Sequence, residues 1–491
     1  MKNSIIIIVS FSLFFVGCCK KETIITGQFT GQSEILMYSV PISEMCYLGF
    51  VDTIKLDENG YFSLNIKINQ PACIHIWNKE PYKKVNLLIE SGKNYHVVMD
   101  VEKGTQISGA NAKGQMLYTT LPTPAIIELG LSASKITNPF NDTVSLVSGR
   151  NKINDLKQSD MSKFKTLLDN GEITKSYFDL IQKDRDCYYA SLEARFLLLK
   201  THKSVENGIS IDDELIESLK KIYDQYPPED ASLHFSYYWP EYAEFYITDY
   251  KQYIQEGFNK QKFLDFRKAK MYNQNIINEA KKYFSGKSLG FFQAKQIFNT
   301  CFQGSFEKEM IFLFEQFEKD YPQSEYSKYL KPYIDKIIDY HEIIEKPLDS
   351  DILIMNNHEN IKTLEEAVKP LLGKKIYIDV WGTWCNPCIR EFTNNEALKK
   401  ILADNDIQLL YISVGDNDDL KWKNAIKYYH LTGTHIRGNQ ELFIYLEKLY
   451  SKNMERSYIE VPWYILIDEK GNIMDERAKS PSQLVSGEKL F

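Results

Sequence analysis

The sequence predicts a three-part α+β chain: a small β-sandwich, a helical middle and a C-terminal α/β unit on a mixed central sheet. Three observations carry this. Between residues 23 and 108 apolar residues recur with period two, as where Phe62, Leu64, Ile66 and Ile68 alternate with Ser63, Asn65 and Lys67. From about residue 151 to 345 the apolar spacing is helical. From about residue 351 strand-like and helical runs alternate. At 491 residues the chain is too long for one core.

The first residues stand apart from the fold. Lys2 gives a positive start, and residues 5–16 are apolar but too few to span a bilayer. The run ends in Gly17-Cys18, which resembles a bacterial lipobox, a small residue followed by Cys. That resemblance implies a signal peptide over 1–17, an acylated Cys18, a tether over 18–26 and an exported, periplasmic, lipid-anchored protein. A plain signal peptide or an uncleaved anchor stays open. Each of these sends the body of the chain to a compartment where disulfides form.

Residues 27–108 read as the sandwich, with strands near 34–40, 53–56, 61–68, 72–77, 85–90 and 95–101. Asp57-Glu58-Asn59-Gly60 is a turn and predicts a hairpin between 53–56 and 61–68. Residues 90–94 form another turn. His75 stands alone in a strand and reads as structural. Cys46 and Cys73 are compatible with a disulfide or with two free thiols.

Residues 109–150 read as a linker, punctuated by Leu121-Pro122-Thr123-Pro124 and Asn138-Pro139-Phe140-Asn141. The helical region, 151–345, predicts helices near 213–223, 241–255, 260–284, 290–302, 306–320 and 325–344. Pro227-Pro228 and Pro322 mark breaks. Phe235, Tyr237, Tyr238, Trp239, Tyr242, Phe245, Tyr246 and Tyr250 form an aromatic cluster. It reads either as a peptide groove or as helical core, and the spacing favours core. Cys187 and Cys301 read as buried small hydrophobes.

The net charge is −7, and no basic patch, zinc-finger spacing or phosphate loop occurs. Nucleic-acid binding is therefore not expected. The chemistry gathers near the C-terminus. Residues 375–381 are an apolar, β-branched and aromatic run, which reads as a buried strand. Cys385 and Cys388 follow it, where the next helix begins. A thiol at a helix N-terminus faces unpaired amides and the positive end of the dipole, which favour thiolate. Thiolate is the nucleophile of disulfide exchange. Half of a zinc site is the rival reading, but no second pair with ligand spacing exists, so no metal is expected. Asp379 lies inside the apolar strand, where a buried charge is costly and so informative.

Trp384-Cys385-Asn386-Pro387-Cys388 after a strand resembles the thioredoxin superfamily. Residues 379–385 are similar to its membrane-tethered TlpA/ResA-like thiol-disulfide oxidoreductases. Val461-Pro462, followed by the strand 463–468 and the turn 469–472, agrees. The resemblance covers 352–491, under a third of the chain. The region before residue 108 resembles the β-rich domain found ahead of such modules.

The resemblance implies a thioredoxin-like domain over 351–491 in which Cys385 attacks a substrate disulfide and Cys388 resolves the mixed disulfide. It implies that Asp379 moves protons, that Pro462 is cis, and that Trp384, Pro387, Val461 and Pro462 contact substrate. The redox-active disulfide Cys385–Cys388 is then the whole redox centre, with no cofactor. Implied partners are protein thiols and disulfides and a membrane thiol-transporting electron donor. A reductase is the first reading. An oxidase or isomerase, or a binding and assembly lipoprotein using this fold as scaffold, are the alternatives. Three departures stand out. Thr393 replaces a common proline, which predicts an unkinked helix. Asn386 sits where small residues are common. The last helix is expected to be short.

Overall fold

Hydrogen-bond pairing sorts the N-terminal strands into two sheets. The computed structural model describes residues 21–43, 45–122, 145–206, 210–257, 259–304, 306–452 and 458–490. Strands β1 (Lys21–Phe29), β4 (Tyr61–Ile68), β7 (Asn94–Asp100) and β8 (Gly104–Gly109) pair in the order β4-β1-β7-β8. Strands β2 (Ile35–Ser39), β3 (Val51–Lys55), β5 (Ala72–Asn78) and β6 (Lys83–Ile89) pair in the order β3-β2-β5-β6. Ile25, Phe29 and Tyr95 from the first sheet share a core with Leu36, Ile54 and Ile74 from the second. Every residue of β5 is buried, so both of its faces are covered. The outer cover is helical and includes Tyr118, Phe164, Tyr177 and Tyr237.

The predicted hairpin at residues 57–60 does not form. β3 pairs with β2 and β4 with β1, so this turn carries the chain between sheets. Gly60 is required there: its φ is 76°, and a Cβ would lie 2.2 Å from the Phe29 carbonyl oxygen. The predicted tether is also corrected. Residues from Lys21 onward already pair with β4, because Thr23 and Ile25 are buried in the sandwich. The predicted linker contains helix α1 (Ala112–Tyr118), whose Tyr118 enters the core. The leader, Cys18 and the Asn138–Pro139 turn lie outside the described residues.

Cys46 and Cys73 are both buried, and no disulfide joins them. The Cys73 amide donates to Cys46 Sγ at 3.2 Å, and Cys73 Sγ lies 3.1 Å from the Tyr118 hydroxyl. His75 is buried, lies 2.5 Å from Asn86 Oδ1, and is pushed down to about 4 by burial.

Nine α-helices and a π-helix follow among the described residues: α2 (Leu146–Asp169), α3 (Lys175–Glu206), α4 (Asp213–Gln225), α5 (Trp239–Phe245), the π-helix (Tyr246–Gln255), α6 (Lys260–Lys268), α7 (Tyr272–Ala280), α8 (Gly286–Phe302), α9 (Glu309–Asp320) and α10 (Ser327–Glu345). The predicted 260–284 helix is two, because Lys270 takes a left-handed φ of 55° between α6 and α7. The aromatic cluster is core, with Trp239 and Tyr242 fully buried. Among the described residues no helix is long and apolar enough to cross a membrane.

Chain contacts divide the molecule into two compact units, one up to Asp335 and one from Lys336. The second is a six-stranded mixed sheet, in the order β14-β13-β10-β11-β12-β9. Its strands are β9 (Ile352–Ile354), β10 (Lys375–Trp381), β11 (Ile407–Ser413), β12 (Gly433–Arg437), β13 (Trp463–Ile467) and β14 (Ile473–Asp475). Its helices are α11 (Leu364–Val368), α12 (Asn386–Glu391), α13 (Asn395–Asp404), α14 (Asp419–Tyr428), α15 (Gln440–Tyr450) and α16 (Pro481–Val485). β10 is central, parallel to β11 and antiparallel to β13. Its even residues Ile376, Ile378 and Val380 pack with Leu364, Leu442 and Leu446. Its odd residues face the opposite layer, where Trp381 packs with Cys388 and Phe392.

Within the first unit Asp184 and Arg185 form a buried ion pair, 2.6 Å apart, and Ser236 Oγ donates to Asp184 at 2.7 Å. The Arg185 guanidinium lies over Tyr188 and Tyr238. Removing one member strands the other charge. Asp184→Ala is expected to cost this unit about 3–5 kcal/mol in urea unfolding, and the double replacement Asp184→Leu/Arg185→Met much less.

Candidate active site

The site is built where three neighbouring strands of the second unit end. After Trp381 the chain turns through Gly382 and Thr383 and enters α12. Cys385 is the N-cap of this helix. Its sulfur accepts the Cys388 amide at 3.1 Å, satisfying a donor that the helix start leaves open. Pro387 occupies the first turn, where its missing N–H costs nothing. Cys385 and Cys388 are joined as a disulfide, with Cα atoms 5.3 Å apart. Cys388 is fully buried, Cys385 is 3% exposed and Trp384 is 55% exposed.

Residues from the other strand ends hold this turn. From β11, Asp416 accepts the Thr383 amide at 3.0 Å and the Thr383 hydroxyl at 2.5 Å. The Ser413 hydroxyl bonds the same carboxylate. The Trp384 indole donates to the Val414 carbonyl at 3.1 Å. It lies across Gly382, where a Cβ would come within 2.7 Å of the indole nitrogen. Ahead of β13, the Val461–Pro462 bond is cis, and the Val461 carbonyl oxygen lies 3.5 Å from Cys385 Sγ. The structure therefore brings Trp384, Cys385, Cys388 and Val461 together.

Asp379 sits two residues before the end of β10, on the face that also carries Trp381. In strand register it lies beside Tyr464 on one side and Tyr411 on the other, and Tyr411 lies beside His435. All four are buried. Neither Asp379 oxygen has a hydrogen-bond partner among the described residues, nor do the Tyr411 and Tyr464 hydroxyls. Burial, and then the nearby Glu391 charge, hold the Asp379 carboxyl well above its ordinary value. His435 stacks on Tyr411 at 4.8 Å and is pushed down to about 4 by burial, so burial disfavours charge along this row.

Glu391 was not singled out from sequence. It lies three residues past Cys388 and accepts the Ser482 amide and hydroxyl, both at 2.9 Å. Thr383 and Asp416 were missed as well. Their signal is the place of Asp416 just past an apolar strand, at the carboxyl end where α/β sheets build sites. The helix expected to run unkinked past Thr393 is in fact broken by a 3₁₀ turn at Phe392–Asn394. Thr393 Oγ1 donates to the Arg390 carbonyl at 2.8 Å, a local bond that competes with regular helix. α16 is short, as expected, and opens with a capping box at Ser480 and Gln483.

Comparison with known proteins agrees with this geometry. Residues 356–484 match the Redoxin family model. The chain is 25% identical over 111 residues to the thiol-disulfide oxidoreductase ResA of Bacillus thuringiensis, covering 22% of this chain and 57% of that protein. Its C-terminal part is similar to the TlpA/ResA-like thiol-disulfide oxidoreductases of the thioredoxin superfamily. The TlpA/ResA-like part is also 28% identical over 123 residues to the thioredoxin-like protein YneN of Bacillus subtilis, covering 24% of this chain and 65% of that one. The thioredoxin domain of a thiol-disulfide oxidoreductase from Bacteroides vulgatus aligns at 20% identity, with 24% of this chain, 81% of that chain and a TM-score of 0.21. The chain spans little more than half the length of the ResA relative it matches. Among the described residues no cluster of metal-ligating side chains occurs.

The buried carboxyl yields a pH test. Above the ordinary carboxylate value of 3.8, unfolded Asp379 is ionised while folded Asp379 keeps its proton. Folding then takes up a proton, and stability falls as pH rises, by about 1.4 kcal/mol per pH unit, until the folded value is passed. Asp379→Asn removes this term. The variant's melting temperature relative to the parent should climb as pH rises above about 4 in calorimetry of the oxidised chain. A difference that stays flat over that range contradicts a held proton.

Proposed function

We propose that this protein is an exported, membrane-anchored thiol-disulfide oxidoreductase that reduces protein disulfides. The carrying observation is the Cys385 sulfur at the N-cap of α12, accepting the Cys388 amide. Once the disulfide is reduced, the same position favours Cys385 as thiolate. That thiolate attacks a substrate disulfide. The substrate S–S bond breaks, one substrate sulfur joins Cys385, and the other leaves as thiolate and takes a proton. Asp379 first releases its own proton to water, then takes the proton of the Cys388 thiol as that sulfur attacks Cys385 Sγ. The mixed disulfide breaks, the second substrate thiol departs, and the pair is left oxidised by two electrons.

The protein's own dithiol is the whole redox centre in this reading, with no further cofactor. A membrane thiol-transporting partner returns the two electrons. Trp384, Pro387, Val461 and Pro462 form the substrate contact beside Cys385. The apolar leader and Cys18 support export and lipid anchoring.

Cys388→Ser cannot resolve the mixed disulfide, so the variant should retain substrates that non-reducing electrophoresis resolves as adducts. Cys385→Ser is the control. Equal trapping by the two variants rules the mechanism out. Equilibration of the full chain in dithiothreitol buffers measures the direction of transfer. A reduction potential near about −270 mV is expected for a reductase, and one near about −120 mV would make the protein an oxidant.

A further inference from the structure

The proposed redox chemistry makes no use of a wide cleft in the first unit. This cleft has a volume of about 1080 Å³ and is walled by the π-helix, α7 and α8. π-Helices are rare and favour functional sites. Closing i→i+5 brings residues four and five apart onto one face. Thr248, Asp249, Gln252 and Tyr253 occupy such a face, and all four line the cleft.

The wall charges are matched. Asp249 lies 2.7 Å from His202, Glu244 pairs with Lys295, and Glu307 lies 3.2 Å from Arg267. Lys260 is exposed to water. The cleft therefore offers little field to select an ion. What it offers is neutral hydrogen bonding. Asn273 and Gln296 are buried and wired together at 2.8 Å, and Asn273 donates to Glu309 at 2.9 Å. Gln252 is only 4% exposed and also lines the cleft. A side-chain amide at such a wall can both donate to and accept from a polar ligand.

Aromatic faces complete the lining. Tyr253 stacks on His202 at 4.5 Å, and Phe263 meets Tyr272 at 5.1 Å. We propose that this cleft binds a neutral saccharide. A sugar ring presents hydroxyls that both donate and accept, which suits amides and paired carboxylates. Its C–H faces suit flat aromatic rings. A bound peptide strand would instead want an open sheet edge and apolar side-chain pockets, whereas these walls are helical.

The test is calorimetric titration of the full chain with maltohexaose, cellohexaose, xylohexaose and chitohexaose, and with hexaalanine as the peptide probe. At least one oligosaccharide should bind, and Gln252→Leu should weaken it tenfold or more. Tyr253→Ala should do the same, and it carries the test where Gln252→Leu does not fold. The proposal fails if no oligosaccharide binds at up to about 10 mM, well past a millimolar affinity. It also fails if binding survives the folded variants, or if hexaalanine alone binds.

Discussion

A helix that starts inside a protein leaves its first amides without partners. In the C-terminal unit, one of these is met by sulfur instead of oxygen, and much of the surrounding structure serves to keep that sulfur in place. Cys385 caps α12 only because β10 stops at Trp381 and the next three residues turn tightly. The turn is held from β11, through Asp416 on Thr383 and Val414 on Trp384. It is approached from the start of β13, through the Val461 carbonyl. The three strands are adjacent in the sheet, so the mixed order is what brings the holding groups to one spot. A parallel neighbour contributes its carboxyl end, and an antiparallel neighbour contributes its amino end.

The cost of the site sits one layer below. Asp379, Tyr411, Tyr464 and His435 put a polar row where the even face of β10 has only aliphatic side chains. Packing alone would favour apolar residues here. Burial keeps the carboxyl protonated, and Glu391 reinforces that from the Cys388 helix. A proton so held can be exchanged with a neighbouring thiol at small energetic expense, which a solvated carboxylate could not match near neutral pH.

The parts of this design that are local were legible in the sequence. The Cys pair, the apolar strand before it and the acid inside that strand all lie within fourteen residues, from Lys375 to Cys388. The clamp was not legible, because Thr383 and Asp416 are 33 residues apart and neither has an unusual neighbourhood. The same distinction explains the errors of the fold reading. Asp57–Gly60 announces a turn whichever sheet receives the next strand, and only long-range pairing sends β3 and β4 apart. β5 and β6 hardly alternate because helices cover the sandwich from outside, a fact of the tertiary structure. The break at Thr393 follows from a hydroxyl-to-carbonyl bond that proline-based reasoning does not contain.

The two deeply buried aspartates show what kind of charge each unit tolerates. Asp184 is ionic and answered: Arg185 lies 2.6 Å away and Ser236 donates to it. Such a group fixes structure, since any change in its protonation would strand the guanidinium. Asp379 is equally buried but has no cation and no hydrogen-bond donor among the described residues. Its neighbours are neutral tyrosines and a sheet register that leaves both oxygens open. A charge meant for structure would have been paired. One left unpaired is cheap only while protonated, and the proposed exchange needs a group that can give up and take back a proton. That contrast, more than the presence of two cysteines, is the physical argument behind the redox role proposed for the C-terminal unit.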